Sequence, residues 1–258
     1  MSALPSPLFE PVLWDGDGFK ILDETALPER IEYIAVRDVS QALDAVRQMK
    51  TRAFGQVLAF LYSAALTARR HEDADAESLR AQLGQMTEQF CAARPTFDFR
   101  GLWSFFEEWF RKLPSDADVS STIARQAREF GQQIVGGRRA RAKRAAAVLP
   151  NPARVLTHCN VSGELVAVAH YCRESGKDIS FIATETRPYL QGARLTAWEL
   201  AQAGVAVSLI PDCAVAQVLA KGEVNAVLVG TDRVAQPITV IMPQRVMARS
   251  IVATRRAA

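Results

Sequence analysis

No stretch of this chain is both long and uncharged. The uncharged apolar run Val57 to Ala68 falls well short of the roughly 20 apolar residues a membrane-spanning helix needs. Met1-Ser2-Ala3-Leu4-Pro5 places no basic residue ahead of an apolar core, so no secretory signal is expected. Cysteine is scarce: Cys91, Cys159, Cys172 and Cys213 form no C-x-x-C pair. That excludes an extracellular disulfide framework, and reduced thiols in a cytoplasm are expected. Only three histidines occur, and none falls with cysteine at metal-ligand spacing, so no metal site is expected. There is no internal repeat and no low-complexity segment.

Net charge is a misleading clue until it is localised. The formal value is +3, from 31 basic and 28 acidic side chains. The residues after Arg233 hold four arginines and no acid. Without them, 27 basic side chains face 28 acidic ones. The excess belongs to the end of the chain, and no nucleic-acid partner is expected from it.

What is present reads in two styles. Pro11 to Trp14, Asp15-Gly16-Asp17-Gly18 and Phe19 to Leu22 predict strand, turn, strand, because glycine supplies the positive φ of a tight turn. Ile31 to Val36 predicts a third strand, and Ser40 is the expected N-cap of the helix that follows. A second helix opens at Thr51-Arg52 and is apolar nearly all round, so it should be buried, leaving Arg52 a charge in need of a partner. Asp75 is the expected cap of a third helix, which Pro95 ends. Leu102 to Leu113 carries Trp103, Phe105, Phe106, Trp109 and Phe110, expected as a helical core face rather than a base-stacking platform. Residues 116–148 predict helix with a break at Gly136-Gly137. Arg138, Arg139, Arg141, Lys143 and Arg144 are expected there as a solvated face.

After Pro150-Asn151-Pro152 the pattern changes. Strands near 153–158, 179–185, 205–210 and 225–230 alternate with helices near 163–175, 191–203 and 213–220. Such alternation predicts a parallel sheet, and ligands bind beyond the carboxyl ends of its strands. Three polar blocks stand at such ends: Thr157-His158-Cys159-Asn160, Glu185 to Arg194, and Gly230-Thr231-Asp232-Arg233. In a Rossmann-like order the first and fourth strands are neighbours, so Cys159 and Asp232 would face one crevice. Taken alone, each has an ordinary alternative: a small packed thiol for Cys159, a cap or turn for Asp232. No G-x-G-x-x-G follows the first of these strands, so dinucleotide binding is unsupported. Cys91, Cys172 and Cys213 are expected to be packing residues, and His71 and His170 ordinary helix histidines. His158 should point away from Cys159 if the strand continues through it.

Several blocks taken together resemble a known family. They are Trp14-Asp15-Gly16-Asp17, Ile21-Leu22-Asp23, Leu27-Pro28, Ala93-Arg94-Pro95-Thr96, Thr157 to Asn160, Glu185-Thr186-Arg187-Pro188, Leu190-Gln191-Gly192-Ala193-Arg194 and Gly230 to Arg233. In this order, over about residues 10 to 236, the chain resembles the methylthioribose-1-phosphate isomerases, grouped with the α, β and δ subunits of translation initiation factor 2B. The resemblance implies Cys159 and Asp232 as the catalytic pair, and Arg52, Arg94 and Gln191 as substrate contacts. It implies an aldose–ketose isomerase acting on 5-methylthioribose 1-phosphate, or a similar pentose 1-phosphate, in methionine salvage. No cofactor and no metal are implied; the partner is a small sugar phosphate, and family members form homodimers. A non-catalytic regulatory subunit of the initiation-factor branch is the alternative, against which the presence of both Cys159 and Asp232 argues.

The chain departs from the pattern in three places. The family's Arg-Gly-Ala-Pro is Arg52-Ala53-Phe54-Gly55 here, so only the arginine carries over, since close backbone approach is hindered beside Phe54. The segment between Cys159 and the next strand is shorter than in typical isomerases. After Ala235-Gln236 the family's glycine-containing loop and Asn-Lys pair give way to Pro237-Ile238-Thr239-Val240-Ile241-Met242-Pro243 and an arginine-rich end. A reading-frame disruption near Gln236 is the expected account and a divergent short protein the alternative. Weak or absent turnover, and doubtful dimerisation, are the corresponding expectations. The expected architecture is α/β: a helical N-terminal domain with a small β element over 1–149, then an incomplete Rossmann-like parallel-sheet domain over 150–236. An atypical basic tail over 237–258 completes it.

Overall fold

Asp15 turns the first hairpin. Its N–H donates to Gly18 O at 3.1 Å, and its carboxylate accepts the Gly18 N–H at 3.1 Å. Gly16 sits at φ +98°, a conformation only glycine adopts without strain. The strands so joined are β1 (Val12–Trp14) and β2 (Phe19–Leu22), and β3 (Tyr33–Val36) completes an antiparallel sheet in the order β1-β2-β3. The computed structural model describes residues 6–52, 54–114, 116–230, 233–235 and 239–241. It divides into two compact units, Glu10–Arg138, and Met1–Phe9 with Arg139–Ala258.

In the unit Glu10–Arg138, four helices and part of a fifth follow the small sheet. Helix α1 (Val39–Arg47) is capped by Asp38, not by Ser40 as the sequence suggested. Asp38 accepts the Gln41 N–H and the Gln41 side chain accepts the Asp38 N–H, a reciprocal capping box. Serine and aspartate cap comparably well; the box decides for Asp38, and Ser40 donates its hydroxyl to it instead. Helix α2 (Phe54–Arg70) is buried on nearly every side, from Leu58 through Ala68, as its composition predicted. Helix α3 (Ala76–Ala93) starts at the Asp75 cap. Helix α4 (Phe99–Arg111) turns Phe99 and Phe106 inward, where they meet Phe60 and Phe90 at ring separations of 5.2–5.9 Å. Trp103 stacks on Phe106 at 5.8 Å. These rings form the core face that the sequence predicted, with Phe105 at 41% exposure on its margin.

Helix α5 (Val119–Val148) runs unbroken through Gly136-Gly137, contrary to the expected break. Two glycines cost about 1 kcal/mol each, and the alanine and arginine that follow are strong helix formers. The basic cluster after them is not one solvated face either. Arg138 is 2% exposed, with its guanidinium 3.9 Å from the Phe54 ring centroid. Arg141, Lys143 and Arg144 are exposed as expected. Near the end of α5 the Lys177 ammonium donates to Ala146 O, Ala147 O and Leu149 O at 2.7–3.0 Å, satisfying carbonyls that a helix terminus leaves open.

The unit containing Arg139–Ala258 is a parallel sheet with helices. Its strands are β4 (Ala153–Thr157), β5 (Ile179–Thr184), β6 (Ala206–Ile210) and β7 (Ala226–Val227), in the order β6-β5-β4-β7. Helices α6 (Glu164–Glu174), α7 (Trp198–Gln202, preceded by a π-helical turn over Gly192–Ala197) and α8 (Val215–Ala220) connect them. The first and fourth strands are neighbours, as the Rossmann-like reading required. Asn225 sets their register, accepting the Arg154 N–H at 2.8 Å and donating to Pro152 O at 2.9 Å. Strand β7 is shorter than the predicted 225–230. A further antiparallel pair joins β8 (Arg233–Ala235) to β9 (Thr239–Ile241). Among the described residues no helix is long and apolar enough to cross a membrane.

Candidate functional site

Strand β4 ends at Thr157 because the chain leaves extended geometry two residues later, with Cys159 at φ +61°. A non-glycine residue there is unusual and costs on the order of 1–2 kcal/mol, so something must hold it. Two threonine hydroxyls do. The Cys159 N–H donates to Thr186 Oγ1 at 2.9 Å, and the Cys159 carbonyl accepts from Thr196 Oγ1 at 2.6 Å. Both threonines come from the segment after β5, and Gln191 lies between them in sequence. The structure thus brings the Cys159 and Gln191 segments together.

That segment is itself unusual. Thr186 and Leu190 have φ of +63° and +59°, and a π-helical turn follows from Gly192. Such turns and strained residues gather at functional sites. Gly192 is required by close approach, since a Cβ there would lie 1.8 Å from the Thr184 carbonyl oxygen. Thr186 is fixed by Asp212, which follows β6: one carboxylate oxygen accepts the Thr186 N–H and the other the Arg187 N–H, each at 2.8 Å. On the other side of Cys159, Asn160 Nδ2 donates to the buried Glu199 carboxylate at 2.8 Å and to Thr196 Oγ1 at 3.0 Å. The Asn160 side-chain oxygen accepts the Ser162 N–H at 2.8 Å. Sequence reasoning singled out none of Thr196, Glu199 or Asp212; the local signal was only that each stands near a strand or helix end.

Asp232 lies outside the described residues. Its strand does not: β7 runs parallel to β4, and Gly230 approaches the loop after Cys159. A Cβ at Gly230 would be 2.7 Å from Val161 Cγ1, so glycine there permits the contact.

Arg52 and Arg94 belong to the other unit, Glu10–Arg138. The partner Arg52 needed is Glu24, 28 residues earlier. Arg52 Nε and Nη2 donate to Glu24 Oε2 at 3.0 and 2.9 Å, while the Arg52 N–H and the Thr51 hydroxyl donate to Oε1 at 3.0 and 3.1 Å. Burial pushes the Glu24 carboxyl up, against the pull of the Arg52 guanidinium. Arg94 stands at the end of α3, half-buried, and its guanidinium makes no hydrogen bond or ion pair among the described residues. Of the remaining cysteines, Cys172 is buried, Cys91 is half-buried and Cys213 is exposed. Cys213 is therefore not the packing residue expected of it, because it sits on the exposed turn after β6. No group of three His, Cys, Asp or Glu converges for a metal among the described residues.

His158 leaves β4 just before the left-handed turn, and its Nδ1 lies 2.5 Å from Thr184 Oγ1. Burial pulls its pKa below the usual 6.5, despite the Asp212 charge nearby. The unfolded chain then binds the proton more tightly than the fold does. Its contribution is complete above about pH 6.5 and is lost as pH falls through the lower folded value. We expect the urea midpoint to decline between pH 7.5 and 5.5, and to decline less in His158→Asn. Equal slopes in the two proteins would show that His158 carries no such linkage.

Comparisons with known proteins agree with this geometry. The chain is 33% identical over 238 residues to the methylthioribose-1-phosphate isomerase of Albidiferax ferrireducens, covering 86% of this chain and 66% of that one. The crystal structure of 5-methylthioribose 1-phosphate isomerase from Pyrococcus horikoshii superposes with a TM-score of 0.73 at 25% identity, over 87% of this chain and 66% of that one. The structure of translation initiation factor eIF-2B, subunit delta, from A. fulgidus gives 0.70 at 35% identity, over 87% and 68%. The chain thus spans about two thirds of the length of each. The family model of the initiation factor 2 subunits matches residues 54–241, across both the helical unit and the parallel sheet, and the chain belongs to that family.

Proposed function

We propose that the chain is an aldose–ketose isomerase of the methylthioribose-1-phosphate isomerase line. Its substrate is 5-methylthioribose 1-phosphate or a similar pentose 1-phosphate, and its product the corresponding ribulose 1-phosphate. The observation that carries this reading is Cys159, held left-handed between two threonine hydroxyls at the carboxyl end of β4, beside the strand that leads to Asp232.

The chemistry needs what these residues offer. A furanose with phosphate on its anomeric carbon has no anomeric hydroxyl proton to lose, so its ring opens only with acid help. Hydrogen must then pass between C1 and C2. Cys159 and Asp232 would supply the acid–base residue and the second, proton-handling or charge-stabilising group that this requires, at the scale of general acid–base catalysis. The hydrogen stays within one molecule, so the balance requires no cofactor. Arginine holds phosphate through charge-assisted bonds. Arg94 has its guanidinium available for this, and Arg52 presents the edge not taken by Glu24. Gln191, on the strained loop beside Cys159, would contact the sugar. We place this reaction in the cytoplasm, with a sugar phosphate rather than nucleic acid as the partner. The corresponding domains are 1–149 and 150–236.

The test is to incubate the purified chain with methylthioribose 1-phosphate, at enzyme concentrations comparable to substrate, and follow the ketose phosphate by NMR. Ketose should form slowly, given the departure from the family pattern after Gln236, and Arg94→Ala should raise KM about 10- to 100-fold, the loss of one charged hydrogen bond. Binding of the sugar phosphate with no ketose formed would replace this reading by a non-catalytic, sugar-phosphate-sensing one.

A further inference from the structure

We infer that Thr186 and Asp212 are positioning residues for Cys159, a role that rests on the reading of Cys159 as a reacting group. The strand order puts the ends of β6, β5 and β4 side by side, and one polar chain crosses all three. Asp212, after β6, takes the backbone N–H groups of Thr186 and Arg187 on its two carboxylate oxygens. Thr186, after β5, takes the backbone N–H of Cys159 on its hydroxyl. Neither Thr186 nor Cys159 is glycine, and both stand at positive φ, +63° and +61°. For a β-branched residue such as threonine this conformation is a genuine outlier, kept only where surroundings over-determine it.

The two N–H groups that Asp212 accepts flank the Thr186 peptide. Without those acceptors Thr186 relaxes towards ordinary φ, and its hydroxyl swings away from the Cys159 N–H. Cys159 then loses the bond that fixes its backbone N–H, while the one from Thr196 holds its carbonyl. The thiol remains, but not at a fixed angle to the substrate. A displacement of this kind, about 1 Å, is enough to cost large factors in rate without weakening binding elsewhere.

The test uses the whole chain and four variants: Thr186→Val, Thr186→Ser, Asp212→Asn and Cys159→Ser. Two readouts are taken, steady-state kcat and KM, and the rate of Cys159 alkylation by iodoacetamide, resolved by peptide mass spectrometry from the exposed Cys213. Valine has the shape of threonine without the hydroxyl; serine keeps the hydroxyl. Thr186→Val and Asp212→Asn should lower kcat about tenfold or more, the loss of one hydrogen bond, with KM within about twofold. Both should change the Cys159 alkylation rate by a similar factor. Thr186→Ser should restore both readouts to within about threefold of the unsubstituted chain. The proposal is overturned if Thr186→Val matches the unsubstituted chain, or if Thr186→Ser is as impaired as Thr186→Val, which marks a purely structural threonine. Should Thr186→Val fail to fold, the serine variant and Asp212→Asn decide by the same two readouts. Turnover surviving in Cys159→Ser would instead sink the isomerase role of Cys159, while the alkylation rates still report on its positioning.

Discussion

Cys159→Ser is expected to lower kcat by about 10²- to 10⁴-fold, the usual share of a general acid–base group, with KM within a few fold. Serine is close in size and keeps the backbone bonds to Thr186 and Thr196, which involve main-chain atoms of Cys159. What it removes is the more acidic group, since a thiol gives up its proton far more readily than an aliphatic hydroxyl. The loss therefore falls on the chemical step, and a group that acts on the transition state lowers kcat and kcat/KM together. Asp232→Asn should behave alike, because in the proposed reaction it is the second group of the pair that assists ring opening and hydrogen migration. Cys91→Ser, on α3 in the other unit, serves as the control and should leave kcat within about twofold. Steady-state turnover of methylthioribose 1-phosphate measures all three. Unimpaired kcat in both Cys159→Ser and Asp232→Asn would remove the acid–base assignment.

Glu24→Ala is expected to cost the fold about 3 kcal/mol, near the lower end for breaking a buried ion pair by removing one partner. The Glu24 side chain is 2% exposed and that of Arg52 20%. Four donors converge on this one carboxylate: Nε and Nη2 along one edge of the Arg52 guanidinium, the Arg52 N–H and the Thr51 hydroxyl. Alanine leaves them without an acceptor and leaves the guanidinium charge uncompensated. The pair itself is not a large net source of stability. Burial raises the Glu24 carboxyl despite Arg52, which means that desolvation offsets much of the attraction. The double variant Glu24→Leu with Arg52→Met should accordingly recover most of the stability that Glu24→Ala loses. It should not recover substrate affinity, since Arg52 is the proposed phosphate contact. Thermal melts and KM values across the double-mutant cycle separate the two effects. A Glu24→Ala melt within about 1 °C of the unsubstituted chain would refute the structural claim.

The alternation of short apolar runs with amphipathic segments after Pro152 was legible because strand and helix each impose a side-chain period on the sequence. From it came the parallel sheet, the neighbouring first and fourth strands, and Cys159 at a strand end. The burial of α2 and the Asp75 cap were legible for the same local reason. Ser40 and Asp38 were indistinguishable as caps until the reciprocal bonds of Gln41 chose one. The helix through Gly136-Gly137 and the burial of Arg138 depended on neighbours far along the chain, such as the Phe54 ring. Arg52 announced from the sequence that it needed a partner; that the partner is Glu24 was decided by the fold. Asp212, Thr186 and Thr196 carry no local signal for their bonds, because nothing near them in sequence says which strand ends lie side by side. Local sequence determined which residues form strands and helices, through side-chain period and caps. The tertiary structure alone decided which hydroxyls and carboxylates meet the Cys159 backbone, because a hydrogen bond needs its two groups within about 3 Å, and only the order of the strands in the sheet brings them there.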